Sequence, residues 1–188
     1  MPRQYNGTMP EHGVTALLLP VPGADALLRE VAADYPGAVR DGVPAHITVL
    51  YPFLPLSEVD DPVLDELRAL FARRTAPRVE FALPEPDHGF VALRPEPLEP
   101  LRELTDAVRS RWPHLVPYGG SHGDDVDPHL TVAMDVSTSD ARSIAAGIAG
   151  HLPPPAVLEQ AWVTGYDGEW SVRARLPLAG RPHRGTGS

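Results

Sequence analysis

The sequence has no cysteine, no lysine and no long hydrophobic run. Without cysteine there is no disulfide scaffold, no cysteine-ligated zinc, no iron–sulfur cluster and no thiol nucleophile. The longest apolar stretch, Val14–Val21, is far shorter than the ~20 residues that span a bilayer. Residues 1–12 contain no apolar core of a secretory signal. We therefore expect a cytoplasmic protein that does not contact membranes.

Positive charge is also scarce, because the formal net charge is −9 at pH 7 and all 16 basic residues are arginine. A protein that holds long nucleic acid by its phosphates usually has a basic surface, since counterion release supplies most of the affinity. The charge argues against a protein that coats duplex DNA. It is compatible with a monomeric enzyme that grips one phosphate of a small nucleotide or an RNA end.

The length of 188 residues suits one domain, and the 23 prolines and 16 glycines stay below the share that is typical of disordered chains. Residues 1–12 and 179–188 are polar and are expected to be flexible tails. Between them, residues 13–178 are predicted to form a single bilobal domain.

Hydrophobic periodicity predicts the order strand–helix–strand–helix–strand twice, in half-repeats 14–83 and 89–166. A closing strand over 169–178 follows the Asp167-Gly168 turn signal. The predicted strands are Val14–Val21, Ala45–Phe53, Arg78–Leu83, Gly89–Arg94, His129–Val136, Ala156–Tyr166 and Glu169–Leu178. The predicted helices are Gly23–Tyr35, Ser57–Arg74 (with Ser57 as N-cap), Leu98–Trp112 and Ser139–Ala149. Two facing halves would leave a cleft between them, where ligand sites tend to lie.

One tetrapeptide pattern occupies the same place in both halves, as His46-Ile47-Thr48-Val49 and His129-Leu130-Thr131-Val132. Two such matches are expected by chance in about one in ten thousand chains of this composition. Alternate residues of a strand share a face, so each strand offers an imidazole and a hydroxyl about 6.5–7 Å apart. The residues expected to point into the core are Ile47, Val49, Tyr51, Leu130, Val132 and Met134. The alternative is a pair of half-buried strand histidines that bond only to the backbone.

Two imidazoles with two hydroxyls suit the in-line cleavage of a phosphodiester. Such cleavage needs a base on the entering oxygen and an acid on the leaving oxygen. Histidine has a pKa near 6.5, so one ring can be neutral while the other is protonated near neutral pH. General acid and base steps contribute ~10²–10⁴-fold each, and hydroxyls can stabilise the charge on the non-bridging oxygens. This chemistry demands no metal.

The two motifs and their surroundings, PAHITVLYPF at 44–53, DPHLTVA at 127–133 and the loop Tyr118-Gly119-Gly120, resemble the two-histidine (2H) phosphoesterase superfamily. This is the group of 2′-5′ RNA ligase and RNA 2′,3′-cyclic phosphodiesterase. The resemblance implies an α+β, duplicated bilobal fold in which two antiparallel sheets with flanking helices surround a central cleft. It also implies catalysis without metal or cofactor by His46 and His129, with Thr48 and Thr131 binding the phosphate.

We accordingly expect a phosphodiesterase that acts on a 2′,3′-cyclic phosphate, or on a related cyclic or 2′-5′-linked nucleotide or RNA end. One alternative is a module that binds a nucleotide or RNA end without turnover. A second is a 2′-5′ RNA ligase that uses the same residues, which the net charge of −9 makes less attractive.

Other candidates carry weaker signals. Tyr118 could stack on a base or pack, whereas Phe90 is expected in the core because it opens an apolar strand. Ser171, Arg173 and Arg175 are predicted to share one face of the last strand. Either arginine could hold a phosphate if that face lines the cleft; a solvated edge is the alternative. The oxygen- and nitrogen-rich cluster His122, Asp124, Asp125, Asp127 and His129 fits no metal-binding spacing, so no metal site is expected.

Overall fold

A computed structural model of the chain describes residues 10–120 and 126–180. They form four α-helices and ten strands in two antiparallel sheets, which confirms the predicted α+β class and sheet architecture. The strands are β1 (Thr15–Pro20), β2 (His46–Leu50), β3 (Arg78–Phe81), β4 (Glu85–Asp87), β5 (Phe90–Leu93), β6 (Pro95–Glu96), β7 (Leu130–Ala133), β8 (Ala156–Val157), β9 (Gln160–Tyr166) and β10 (Trp170–Pro177). The helices are α1 (Asp25–Asp34), α2 (Asp61–Ala72), α3 (Glu99–Arg111) and α4 (Thr138–Ile148). Three short 3-10 helices cover Pro22–Ala24, Leu56–Glu58 and Pro117–Gly120.

The larger sheet has the strand order β10-β9-β1-β2-β7-β5-β4, and the smaller has β6-β3-β8. Strands from the two predicted half-repeats therefore lie together in one sheet. The two motif strands, β2 and β7, are direct neighbours at its centre, where Ile47 pairs with Leu130. This adjacency positions the candidate site.

Two helices, α2 and α4, begin at a residue whose side chain caps them. Asp60 caps α2, since its side chain accepts a hydrogen bond from the Val63 amide at 3.0 Å, and Pro62 stands in the first turn. The predicted helix start at Ser57 is therefore wrong. Residues Leu56–Glu58 form a separate 3-10 helix instead, and Asp60 provides the cap. Ser137 caps α4 in the same way through the Asp140 amide.

The hydrophobic core packs against one face of β2 and β7, the face on which strand alternation predicts apolar residues. Ile47 and Leu130 on this face are both 0% exposed. Tyr51 and Met134 do not follow them into the core and are only half-buried. The reason is that β2 ends at Leu50 and β7 at Ala133, so the alternation does not extend to these two residues. No helix in the described parts of the chain is long and apolar enough to cross a bilayer.

Candidate active site

The four motif side chains meet because of the register between β2 and β7. With Ile47 opposite Leu130, one step along each antiparallel strand puts His46 opposite Thr131 and Thr48 opposite His129. Directly opposed residues have Cβ atoms about 4.5–5.5 Å apart, and diagonal neighbours lie about 7–8 Å apart. The two imidazoles therefore occupy one diagonal of a quadrilateral and the two hydroxyls the other. All four side chains are half-buried, on the face opposite the core.

Both imidazoles are oriented by the same kind of hydrogen bond to a backbone carbonyl. Nδ1 of His46 lies 2.7 Å from the carbonyl oxygen of Pro44, and Nδ1 of His129 lies 2.8 Å from that of Asp127. A carbonyl can only accept, so Nδ1 carries the proton and donates in each case. In the neutral ring the lone pair then lies on Nε2, the atom that can take a proton from a reacting group.

The two rings are also coupled electrostatically. Burial lowers the pKa of His46 below its usual value of 6.5, although the hydrogen bond to the Pro44 carbonyl opposes this shift. The positive charges of Arg40 and of protonated His129 lower the pKa of His46 further. His46 is consequently the neutral imidazole at physiological pH, which suits a proton acceptor.

A small pocket opens at the end of the quadrilateral formed by Thr48 and His129. Its lining consists of Thr48, Val49, Leu50, Tyr51, Thr105, Pro117, Tyr118, Val126, Asp127 and His129. The rings of Tyr51 and Tyr118 lie 5.9 Å apart, and the Tyr118 amide donates to the Tyr51 carbonyl. The Tyr118 ring therefore packs on Tyr51 and borders the pocket, whereas its stacking on a base stays a prediction.

Phe90 is half-buried, so the expectation that it belongs to the core is not met. Its ring stands edge-on to His129, with the ring centroids 5.5 Å apart. Phe90 is the first residue of β5, which pairs with β7. The ring therefore packs beside the candidate site.

Two residues near the site have no motif signal in the sequence. Arg102 of α3 binds the Asp127 carboxylate through Nε at 2.9 Å and through Nη2 at 2.5 Å, and Asp127 provides the carbonyl that orients His129. Arg40, in the loop between α1 and β2, is close enough to influence His46. Both depend on tertiary placement, which local sequence patterns do not report.

The two arginines predicted to share a face of β10 are on opposite faces. A β-bulge between Val172 and Ala174 makes Arg173 an extra residue, so the simple alternation breaks there. The Arg173 side chain packs against Gly165, which is the residue that pairs with Ser171. Arg173 and Ser171 therefore share a face. The predicted common face of Ser171, Arg173 and Arg175 is therefore wrong for Arg175.

Arg175 does lie on the same face as Thr48. Paired residues of neighbouring strands point to the same side, and Thr48, Leu18, Trp162 and Arg175 form one row across four strands. The row puts Arg175 three strand spacings, roughly 14 Å, from Thr48. Its guanidinium stacks on Trp162 at 5.3 Å from the ring centroid. Arg175 therefore belongs to the outer part of this face.

Three members of the acidic and histidine cluster, His122, Asp124 and Asp125, lie outside the described residues. Within residues 10–120 and 126–180, no group of three or more histidine and acidic side chains could hold a metal ion.

Comparison with solved structures shows the same fold in several proteins of low sequence identity. LigT of E. coli in complex with 3′-AMP has a TM-score of 0.58 at 17% identity, over 90% of this chain and 99% of that one. TT0787 of Thermus thermophilus has a TM-score of 0.56 at 17% identity, over 90% of this chain and 100% of that one. A structure described as a phosphoesterase has a TM-score of 0.51 at 16% identity, over 89% of this chain and 99% of that one.

Sequence comparison adds a family. No curated protein matches the chain. The model of the 2′-5′ RNA ligase superfamily matches residues 20–169, which include both motif strands and the whole segment between them. The chain therefore belongs to the 2′-5′ RNA ligase superfamily, within the 2H phosphoesterases that its motifs resemble.

Proposed function

We propose that the protein is a phosphodiesterase that opens a 2′,3′-cyclic phosphate on a nucleotide or RNA end without a metal ion. The observation that carries this proposal is the register of β2 and β7, which puts two imidazoles and two hydroxyls on one face of two neighbouring strands. Membership of the superfamily supports a phosphoesterase or ligase activity in general.

His46 acts as the base and His129 as the acid. Nε2 of neutral His46 removes a proton from water as the water oxygen forms a bond to phosphorus. The bond from phosphorus to one ribose oxygen breaks on the opposite side, and protonated His129 gives that oxygen its Nε2 proton. His46 then releases its proton to solvent and His129 takes one up, so both rings are reset and the net reaction consumes one water. The lowered pKa of His46 supports this assignment of roles.

Thr48 and Thr131 donate hydrogen bonds to the non-bridging phosphoryl oxygens. These oxygens gain charge in the transition state, so fixed donors stabilise the transition state more than the ground state. LigT binds 3′-AMP in one solved structure. A nucleoside 3′-phosphate forms when water breaks the bond from phosphorus to the 2′ oxygen of a 2′,3′-cyclic phosphate, so this ligand is consistent with hydrolysis.

The test is turnover of 2′,3′-cyclic mononucleotides with excess EDTA, followed by chromatography of the products. We expect a nucleoside monophosphate to form at the same rate with and without EDTA. The double variant His46→Ala/His129→Ala should be inactive, whereas His151→Ala removes a surface histidine that pairs with Glu30 and serves as the control.

Three outcomes would contradict the proposal. Saturable binding of the cyclic nucleotide by the native protein without product would indicate a binding module. Activity that survives the double substitution would remove the two imidazoles from the mechanism. Joining of RNA ends in place of hydrolysis would assign the same residues to ligation.

A further inference from the structure

The two ends of the quadrilateral differ in chemistry. The end with Thr48 and His129 opens into the pocket bordered by Tyr51 and Tyr118. The other end, with His46 and Thr131, is approached by the loop of residues 35–45, which carries Arg40. A ligand that spans the quadrilateral would therefore meet aromatic groups at one end and a guanidinium at the other.

The loop that carries Arg40 is anchored on both sides of this residue. The Ala38 carbonyl accepts a hydrogen bond of 2.9 Å from the Met134 amide, just after β7. The Ala45 amide donates to the Asp25 side chain at 2.8 Å. Arg40 itself is half-buried, and its Nη2 contacts the Met134 sulfur at 3.6 Å. Anchoring of this kind reduces the ordering cost of binding a ligand.

The Met134 sulfur, which Arg40 contacts, is a weak hydrogen-bond acceptor. Within the described residues, Arg40 makes no ion pair with a carboxylate, and a thioether is a poor acceptor for a guanidinium with five N–H donors. Charged side chains that are removed from water usually pair with an opposite charge. A half-buried arginine beside a phosphate-cleaving site, held by a sulfur atom, is suited to an anion that arrives with the substrate.

We propose that Arg40 binds a second phosphate of the substrate, the one attached to the 5′ oxygen of the nucleotide whose 2′,3′-cyclic phosphate is opened. This inference rests on the proposed function and narrows its substrate class. The preferred substrate is an RNA 3′ end or a 5′-phosphorylated nucleotide, rather than a nucleoside 2′,3′-cyclic phosphate with a free 5′ hydroxyl. The scissile phosphate already has two hydroxyl donors in Thr48 and Thr131. Met134 follows Thr131 by three residues, about 10 Å along an extended chain, which favours a separate contact for Arg40.

The kinetic test compares adenosine 2′,3′-cyclic phosphate with its 5′-phosphorylated form at pH 8, where His46 is neutral. For the native protein we expect a higher kcat/KM on the 5′-phosphorylated substrate. Arg40→Met keeps the length and apolar packing but removes the charge. Arg40→Met should lower kcat/KM on the 5′-phosphorylated substrate about 10- to 100-fold. It should leave kcat/KM on the substrate with a free 5′ hydroxyl nearly unchanged. Arg40→Lys should restore part of the preference, and Arg68→Met on α2 controls for net charge.

A dinucleotide that ends in a 2′,3′-cyclic phosphate forms the third arm, since its internucleotide phosphate occupies the same 5′ position. We expect it to follow the 5′-phosphorylated mononucleotide in both the native protein and Arg40→Met. If only the mononucleotide responds, the site takes a terminal phosphate and not an RNA chain, which overturns the assignment to RNA ends.

Binding separates this inference from the proposed function. Adenosine 3′,5′-bisphosphate and 3′-AMP can be titrated by calorimetry without any turnover. We expect the bisphosphate to bind more tightly than 3′-AMP to the native protein, and the two ligands to bind equally tightly to Arg40→Met. Equal losses on both ligands, or no loss on either, would overturn the role of Arg40. Absence of turnover with the expected binding difference would overturn only the proposed reaction.

Discussion

The rings of His46 and His129 are oriented by one repeated hydrogen bond, from Nδ1 to the carbonyl oxygen two residues earlier in the chain. The distances are 2.7 Å to Pro44 and 2.8 Å to Asp127. The equivalence extends to the strands, because each histidine faces the threonine of the other motif. The two halves of the site are thus chemically alike, and their surroundings distinguish their roles.

Replacement of either histidine by alanine should lower kcat by at least ~10²-fold with the fold intact. His46→Ala removes the proposed proton acceptor and His129→Ala the proposed proton donor. Single-turnover rates on a 2′,3′-cyclic nucleotide measure the loss, and circular dichroism with His151→Ala as control checks the fold. Loss of activity in the control as well would point to a global effect.

The acid limb of the kcat/KM profile should lie below pH 6.5. His46 must be neutral to accept a proton, and burial lowers its pKa, so activity falls only as the pH drops through this lowered value. Arg40→Met removes a positive charge that disfavours protonation of His46, and the limb should then move to higher pH. Initial rates from about pH 4.5 to 9 measure the shift; an unmoved limb would contradict the coupling.

Removal of either threonine hydroxyl should reduce kcat roughly 10²-fold with a smaller effect on KM, because the proposed role of the hydroxyls is to stabilise charge that develops in the transition state. The variants are Thr48→Val and Thr131→Val, which keep the shape of the side chain. Thr138→Val, at the exposed start of α4, is the matched control. An increase in KM alone would instead indicate uniform binding of the substrate.

We expect Arg102 to position His129, because it binds the side chain of Asp127, whose carbonyl orients the His129 ring. Arg102→Met should reduce kcat about 3- to 10-fold while the unfolding temperature changes little, since exposed ion pairs contribute only about 0–1 kcal/mol to stability. A comparison of kcat and KM with thermal melting tests this. A fall in melting temperature that accounts for the lost activity would assign Arg102 a purely structural role.

Leu130 tests the link between core and site, because it is fully buried and pairs with Ile47 between the motif histidines and threonines. Leu130→Ala should destabilise the protein by about 2–5 kcal/mol through a cavity. Leu83→Ala, at a side chain that is 64% exposed, should change the unfolding free energy far less. Urea unfolding of the two variants provides the comparison, and equal effects would contradict the observed burial.

The sequence predicts the parts of this site that depend on local periodicity. Alternation alone assigns His46 and Thr48 to one face and Ile47 to the core, and the burial of β2 agrees. The pairing of β2 with β7 joins segments about 80 residues apart, and no local pattern specifies such a partner. The repeated element order predicts a cleft between two halves, whereas the structure places the two motifs on neighbouring strands of one sheet.

Other features depend on departures from regular structure. The bulge at Arg173 turns Arg175 to the other face, and nothing in the sequence pattern marks the extra residue. The contacts of Arg40 and Arg102 depend on where a loop and a helix lie in the fold. Single residues outside regular periodicity carry little information until their neighbours are known.

Adjacency of the two motif strands has a consequence for how the protein can be engineered. The spacing of the imidazoles is set by the repeat of a hydrogen-bonded sheet, so changes in the lengths of helices and surface loops leave it unaltered. One inserted or deleted residue within β2 or β7 would present Ile47 or Leu130 in place of a motif histidine or threonine. Tolerance to insertion should thus be high around the periphery and absent within these two short strands.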